Sequence, residues 1–171
     1  MSPPPHVATL IDNLIAARKE IGGIPDWRPT DTDPSEFRLV MPLTIDGVST
    51  GSHLEIISYP NATPVRFRTL LVAEKCVARI DYVFDEPHVN SFDRPHDLLE
   101  FDFCEPHYHS WSDNKRFCTR LSLPERLQNA RILPTSARSF DSVLRWFCAE
   151  LNIEQPPNGL IALPMRTTLI W

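Results

Sequence analysis

Apolar residues recur at two different periods along this chain, and the change of period divides it. Val7, Leu10, Ile11, Leu14, Ile15 and Ile21 fall close to helical spacing, with Arg18, Lys19 and Glu20 turned outward. Gly22-Gly23 supplies a C-terminal stop, so the pattern predicts a helix ahead of it. Residues 1–6, with Pro3-Pro4-Pro5, read as an extended lead-in, and residues 24–36 as a Pro-rich loop dense in turn formers. From residue 37 a period of two takes over. It predicts strands over residues 37–45, 52–58, 65–73 and 76–84, separated by Asp46-Gly47, by a turn at residues 61–64 and by Glu74-Lys75. In the fourth strand Ala78, Ile80, Tyr82 and Phe84 share one face, while Arg79 and Asp81 take the other. A fifth strand over residues 98–104 places Leu99, Phe101 and Phe103 inward, with Glu100 and Asp102 outward.

After Phe117 the spacing turns helical again. A short helix is predicted over residues 124–130, and a second from the N-cap Ser139, with Phe140, Val143, Leu144, Phe147 and Leu151 as its stripe. Pro156-Pro157-Asn158-Gly159 ends that helix, and residues 160–163 or 167–170 add a short strand. The expected fold is a single α+β domain over residues 1–171, an antiparallel β-meander with an N-terminal and a C-terminal helix packed on one face.

Composition changes this picture only in places. A chain of 171 residues, 42% hydrophobic and 23% charged, builds a core without disulfide staples. Seventeen prolines against five glycines limit helix length and stiffen the loops. The apolar runs are too short to cross a bilayer, so no membrane partner is expected. The N-terminus lacks the pattern of a secretory signal, and four cysteines without a CxxC pair suit a reduced, cytoplasmic setting. The net charge of -5 conceals a strong polarity. Residues 81–113 carry nine acids against one base, Arg94, and residues 114–145 carry seven bases against two acids. The basic block either pairs with the acidic one or faces phosphates.

Candidate chemistry gathers at the junction of the two blocks. Four of the six histidines lie between His88 and His109, three of them in the steps Pro87-His88, Pro95-His96 and Pro106-His107. Proline stiffens its surroundings, so these histidines are expected in rigid loops outside the sheet. The leading reading is metal-free acid/base cleavage of a phosphodiester, as in ribonucleases, with His107, His109 and His96 as catalytic groups and no cofactor. Glu105 or Asp113 orients an imidazole, Lys115 and Arg116 hold the phosphate, and Trp111 or Tyr108 stacks a base. A second reading is a divalent metal site: His107-x-His109 on extended chain points both imidazoles to one face, and Asp93, Asp97, Glu100 or Glu105 completes the shell. A third is a non-catalytic module whose His-, Asp- and Trp-rich loop meets a protein partner. Cys104 offers a conceivable nucleophile beside the histidines, whereas Cys76 and Cys148 lie on apolar patterns as small core residues.

The segments Arg79-Ile-Asp-Tyr, Phe92-Asp-Arg-Pro-His96-Asp and Glu105-Pro-His-Tyr-His109, followed by a helix from Phe140, resemble the TumE family of bacterial toxin–antitoxin toxins. The resemblance covers residues 65–153. It implies a small sheet-plus-helix protein with a histidine-bearing strand end, acting on RNA, with an antitoxin or another operon-encoded protein as partner.

Overall fold

The computed structural model describes residues 6–155 and 160–164. The lead-in at residues 1–5, the stop at residues 156–159 and the alternative strand at residues 167–170 lie outside that set. The chain opens with helix α1 (Val7–Ala16), whose first amides are capped by the His6 side chain, Nδ1 accepting from the Ala8 N–H at 3.1 Å. Short strands β1 (Glu20–Ile21) and β2 (Arg28–Pro29) lead into the central meander of β3 (Phe37–Ile45), β4 (Val48–Tyr59), β5 (Arg66–Ala73) and β6 (Lys75–Tyr82). Asp46 and Gly47 both take positive φ, 51° and 75°, which is what a two-residue hairpin between paired Ile45 and Val48 requires.

The strand order is β1-β3-β4-β5-β6, with β2 also on β3, and the strands pair antiparallel. Strand β9 (His107–His109) pairs with β6, and β10 (Arg131–Ile132) closes that edge. Between β6 and β9 the chain makes an excursion held by a two-stranded ribbon, β7 (His88–Val89) on β8 (Asp102–Phe103). Helix α2 (Trp111–Asn114), a single 3-10 turn (Lys115–Phe117) and helix α3 (Phe140–Glu150) complete the described elements. The expected α+β class is thus observed, with a helix near each end of the chain.

One face of the sheet is dry. Leu39, Met41, Leu54, Ile56, Phe67, Leu71, Ala78 and Ile80 are buried there in one cluster with Ile11 of α1 and Val143, Leu144 and Phe147 of α3. Ring contacts join the layers. Tyr108 meets Trp146 edge-on at 4.9 Å, and Phe67 meets Phe140 at 5.1 Å. Ser139 and Ser142 cap α3 reciprocally.

Several local expectations are overturned. Residues 98–104 do not form one strand, since only Asp102–Phe103 pairs, and with His88–Val89 outside the main sheet. Leu98 is buried and Leu99 is 79% exposed, so no period of two runs through to Phe103. Residues 124–130 are not helical, because side chains take the amides a helix would use: Asn129 N–H donates to Asn114 Oδ1 and Ala130 N–H to Asn90 Oδ1. His107 and His109 lie in the sheet, not in a loop. Tyr108 between them belongs to the core, and alternation therefore sends both imidazoles to the opposite face. Residues 160–163 form no strand.

Lys19 is a buried cation with a structural task. It is fully buried, and its Nζ donates to the carbonyls of Leu14, Ile15 and Ala17 at 2.7, 3.2 and 2.6 Å. The ammonium caps the C-terminal end of α1, where the helix dipole favours positive charge. Burial pushes its pKa down to about 8, which leaves it charged at neutral pH. Its backbone also pairs with the segment after α3, through Lys19 N–H to Asn152 O at 2.9 Å and Glu154 N–H to Lys19 O at 2.7 Å. Lys19→Met is expected to lower unfolding free energy by about 2–4 kcal/mol in urea titrations, because it orphans buried carbonyls. A cost under about 1 kcal/mol would show that water replaces the ammonium.

Candidate functional site

The wet face of the sheet is built in register. Arg38, Ile57, Arg68, Asp81 and His107 lie side by side across β3, β4, β5, β6 and β9, and Val40, Glu55, Leu70, Arg79 and His109 form the next row. At the β9 end of these rows Asp81 is the focus. It is 4% exposed, yet four groups converge on its carboxylate. Arg79 Nε donates to Oδ2 at 2.8 Å, Arg68 Nε stands 2.9 Å from Oδ1, and the Nε2 atoms of His109 and His107 lie 3.2 and 3.4 Å from Oδ2. Burial alone would raise the carboxyl pKa, but the Arg79 guanidinium, donating to Oδ2, holds Asp81 below the usual carboxylate range.

His88 comes from the excursion and closes the cluster. Its ring centroid lies 4.8 Å from those of both His107 and His109, which are 5.1 Å apart, and Phe103 packs on His88 and His107 at 5.2 and 5.3 Å. Each imidazole is tied by one nitrogen to a fixed acceptor. His107 Nδ1 donates to Glu105 O at 2.8 Å, and His109 Nδ1 to Asn129 O at 3.1 Å. His88 Nε2 donates to Asn90 Oδ1 at 3.0 Å. The Asn90 amide cannot be turned round, because its Oδ1 accepts from Ala130 N–H while its Nδ2 donates to Glu100 O and Ala130 O. The acceptor sites therefore set the tautomers. Burial pushes the His109 pKa down to about 4, so this ring is neutral at pH 7, and its bare Nε2 accepts from Arg79 Nη2 at 3.0 Å. Burial lowers the His88 pKa too. One ring nitrogen of each of His88, His107 and His109 lies within 4.8 Å of the other two, the arrangement among the described residues able to hold a metal ion.

Three asparagines brace this cluster from behind. Asn90, Asn114 and Asn129 are at most 2% exposed. Asn114 Nδ2 donates to Ser110 O and Asn129 O, and Asn129 Nδ2 to Asp113 O. Asn129 Oδ1 accepts from Ser91 N–H, tying the excursion to the same knot.

The residues singled out from sequence are distributed differently. His107 and His109 come together, at 4% and 0% exposure. His96 is exposed on the excursion and is not part of the cluster. Tyr108 and Trp111 are spent in the core on the dry side, Trp111 Nε1 donating to Asp12 Oδ1 at 2.8 Å. Lys115 Nζ stands 3.6 Å from the same Asp12 carboxylate, and Arg116 Nη1 donates to Asp93 O. Glu105 orients His107 through its backbone carbonyl instead of its carboxylate, and Asp113 is held by Arg131 through two 2.8 Å bonds. None of Asp93, Asp97, Glu100 and Glu105 joins the histidine group, so the carboxylates that sequence offered as ligands lie elsewhere. Cys76 and Cys148 are pushed up to about 12 by burial, as inert thiols. Sequence reasoning missed His88, Asp81, Arg79 and Arg68 as site members. The alternation that put Arg79 and Asp81 on the wet face was the available signal.

Comparison with protein-family models, curated proteins and solved structures gives no match. No helix among the described residues is long and apolar enough to cross a membrane.

The asparagine knot yields a direct check. Asn114→Ala removes a donor–acceptor amide whose partners are buried, and it should cost about 2–4 kcal/mol by urea unfolding. Histidine ring ¹⁵N shifts should also move at His109, which shares the Asn129 carbonyl with Asn114. An unchanged His109 signal would mean that the knot does not orient the cluster.

Proposed function

We propose that this protein is an RNA-directed, toxin-like protein that works on a phosphodiester at the outer face of its sheet. The observation that supports the reading is the meeting of three imidazoles and Asp81 with two arginines that are still reachable from solvent. The Arg68 and Arg79 side chains are 35% and 32% exposed. Guanidinium groups bind phosphate oxygens bidentately and stay charged, whatever the pH. In this reading Arg68 and Arg79 take the phosphate-holding part that sequence spacing gave to Lys115 and Arg116. His88 is the imidazole nearest solvent and the partner of His107 in proton transfer. His109, neutral and engaged by Arg79, positions that arginine.

A second reading, a partner-binding module, draws on a different surface. Phe92 and Leu99 are 90% and 79% exposed on the excursion, amid the exposed Asp93, Asp97, Glu100 and Asp102. An apolar pair in an acidic setting suits a basic, apolar-bearing protein segment.

The two readings separate in one set of measurements on untagged protein. Binding and cleavage of a labelled single-stranded RNA are followed across a salt series for wild type, Arg68→Gln and Phe92→Ser/Leu99→Ser. RNA-directed function predicts that Arg68→Gln weakens binding about tenfold and lowers the salt slope by about one ion, with the Phe92/Leu99 variant unaffected. Neither binding nor cleavage by wild type at low salt would overturn it and favour the partner-binding module.

A further inference from the structure

We infer that His88, His107 and His109 form a binding site for a divalent transition-metal ion of the zinc class. The inference goes beyond the RNA reading and does not depend on it, since an ion can be counted whether or not RNA is touched. The case is geometric. Three imidazoles from two separate segments, β7 and β9, converge so that one nitrogen of each lies within 4.8 Å of the other two. A tetrahedral zinc with Zn–N bonds near 2.1 Å needs that spacing to close to about 3.4 Å.

The surroundings are those a metal site needs. Metal-ligating histidines donate their second ring N–H to a carbonyl or carboxylate, which fixes the tautomer and aims the other nitrogen. Here each ring has such an anchor: Glu105 O for His107, Asn129 O for His109 and Asn90 Oδ1 for His88. Two of the anchors are backbone carbonyls, and the third is an amide locked by its own three hydrogen bonds. Nitrogens not used by these anchors are left for a cation. Asp81 Oδ2, 3.2 and 3.4 Å from two of them, adds negative charge at the same point.

A cationic group already reaches into that point. Arg79 places Nη2 3.0 Å from His109 Nε2 and Nε 2.8 Å from Asp81 Oδ2, so its guanidinium is the stand-in positive charge. A metal ion would take over the His109 nitrogen and leave Arg79 on Asp81 alone. Imidazole donors select zinc, nickel, copper or iron over magnesium and calcium. Three histidines leave a fourth position for water, the pattern of catalytic more than of structural zinc.

The test is metal content and spectroscopy on the full chain, purified without a polyhistidine tag. About one equivalent of zinc is expected on reconstitution, with a raised Tm. Cobalt substitution should give visible d–d bands of a four- or five-coordinate ion. Because His109 is enclosed and its loss threatens folding, the diagnostic variant is His88→Gln, which can still donate to Asn90. It should keep the wild-type circular dichroism and lose about tenfold or more in zinc affinity. Arg79→Gln, by removing the competing cation, should bind zinc more tightly than wild type. Less than 0.1 equivalent (about a tenth of a site) with no thermal shift on adding zinc, cobalt or manganese would overturn the inference. So would unaltered binding by His88→Gln, which would put the ion elsewhere.

Discussion

The outer half of this protein depends on keeping one carboxylate ionised where water is nearly excluded. Taking an isolated carboxylate out of water costs several kcal/mol even after relaxation, so Asp81 at 4% exposure exists as an anion only because of what faces it. Arg68 and Arg79 supply the compensating charge from β5 and β6, and His107 and His109 enclose it from β9. Once Asp81 is fixed, the rest follows. Strand β9 must lie against β6 for its histidines to reach, and the excursion must fold back over them to bring His88. The three buried asparagines must then satisfy the backbone that this return leaves without a ladder. The dry face places no such demands. Leucine, isoleucine and phenylalanine there need only volume and contact.

Strand β9 joins the two halves in three residues. Tyr108 packs on Trp146 and Phe147 of α3, and its neighbours on either side belong to the Asp81 cluster. The rigidity of the site is therefore borrowed from the core. A displacement of α3 would be transmitted to the imidazoles through one tyrosine.

Elements set by periodicity were legible in the sequence. Helix α3, the meander and the Asp46-Gly47 hairpin follow from local rules that neighbours do not override, whereas α1 stops at Ala16, short of the expected Ile21, and Lys19 turns inward to pair with the segment after α3. Residues 98–104 and 124–130 were illegible for a common reason. Their backbone groups bond to asparagine side chains, Asn129 to Asn114 and Ala130 to Asn90 among them, and no period records a partner 10 to 40 residues away. The site was half legible. The His107-x-His109 spacing announced two imidazoles on one side of an extended chain, and alternation set Arg79 and Asp81 outward. What could not be read was that β9 pairs with β6 across the whole excursion. That pairing brings Asp81 to the histidines, and the return of the excursion through β7 on β8 makes His88, and not His96, the third member. The stacking and phosphate-holding roles given to Tyr108, Trp111, Lys115 and Arg116 came from closeness in sequence. On a strand, adjacent residues point to opposite faces, and Tyr108 is separated from His107 by the sheet itself.

The energetics of folding alone do not call for the cluster. Buried ionic groups replaced together by well-packed apolar ones of like volume usually leave a protein as stable or more so. The same face shows that β-branched and aliphatic residues are accepted there, with Val40, Ile57 and Leu70 in the two rows that end at His107 and His109. A purely structural sheet could have continued those rows with leucine or valine and dispensed with the three asparagines as well. Instead the chain spends an excursion, a ribbon and a hydrogen-bonded knot on holding three oriented imidazoles against a carboxylate and two arginines. Under the proposals made above, that set of groups holds a charge not belonging to the chain, a phosphate or an ion.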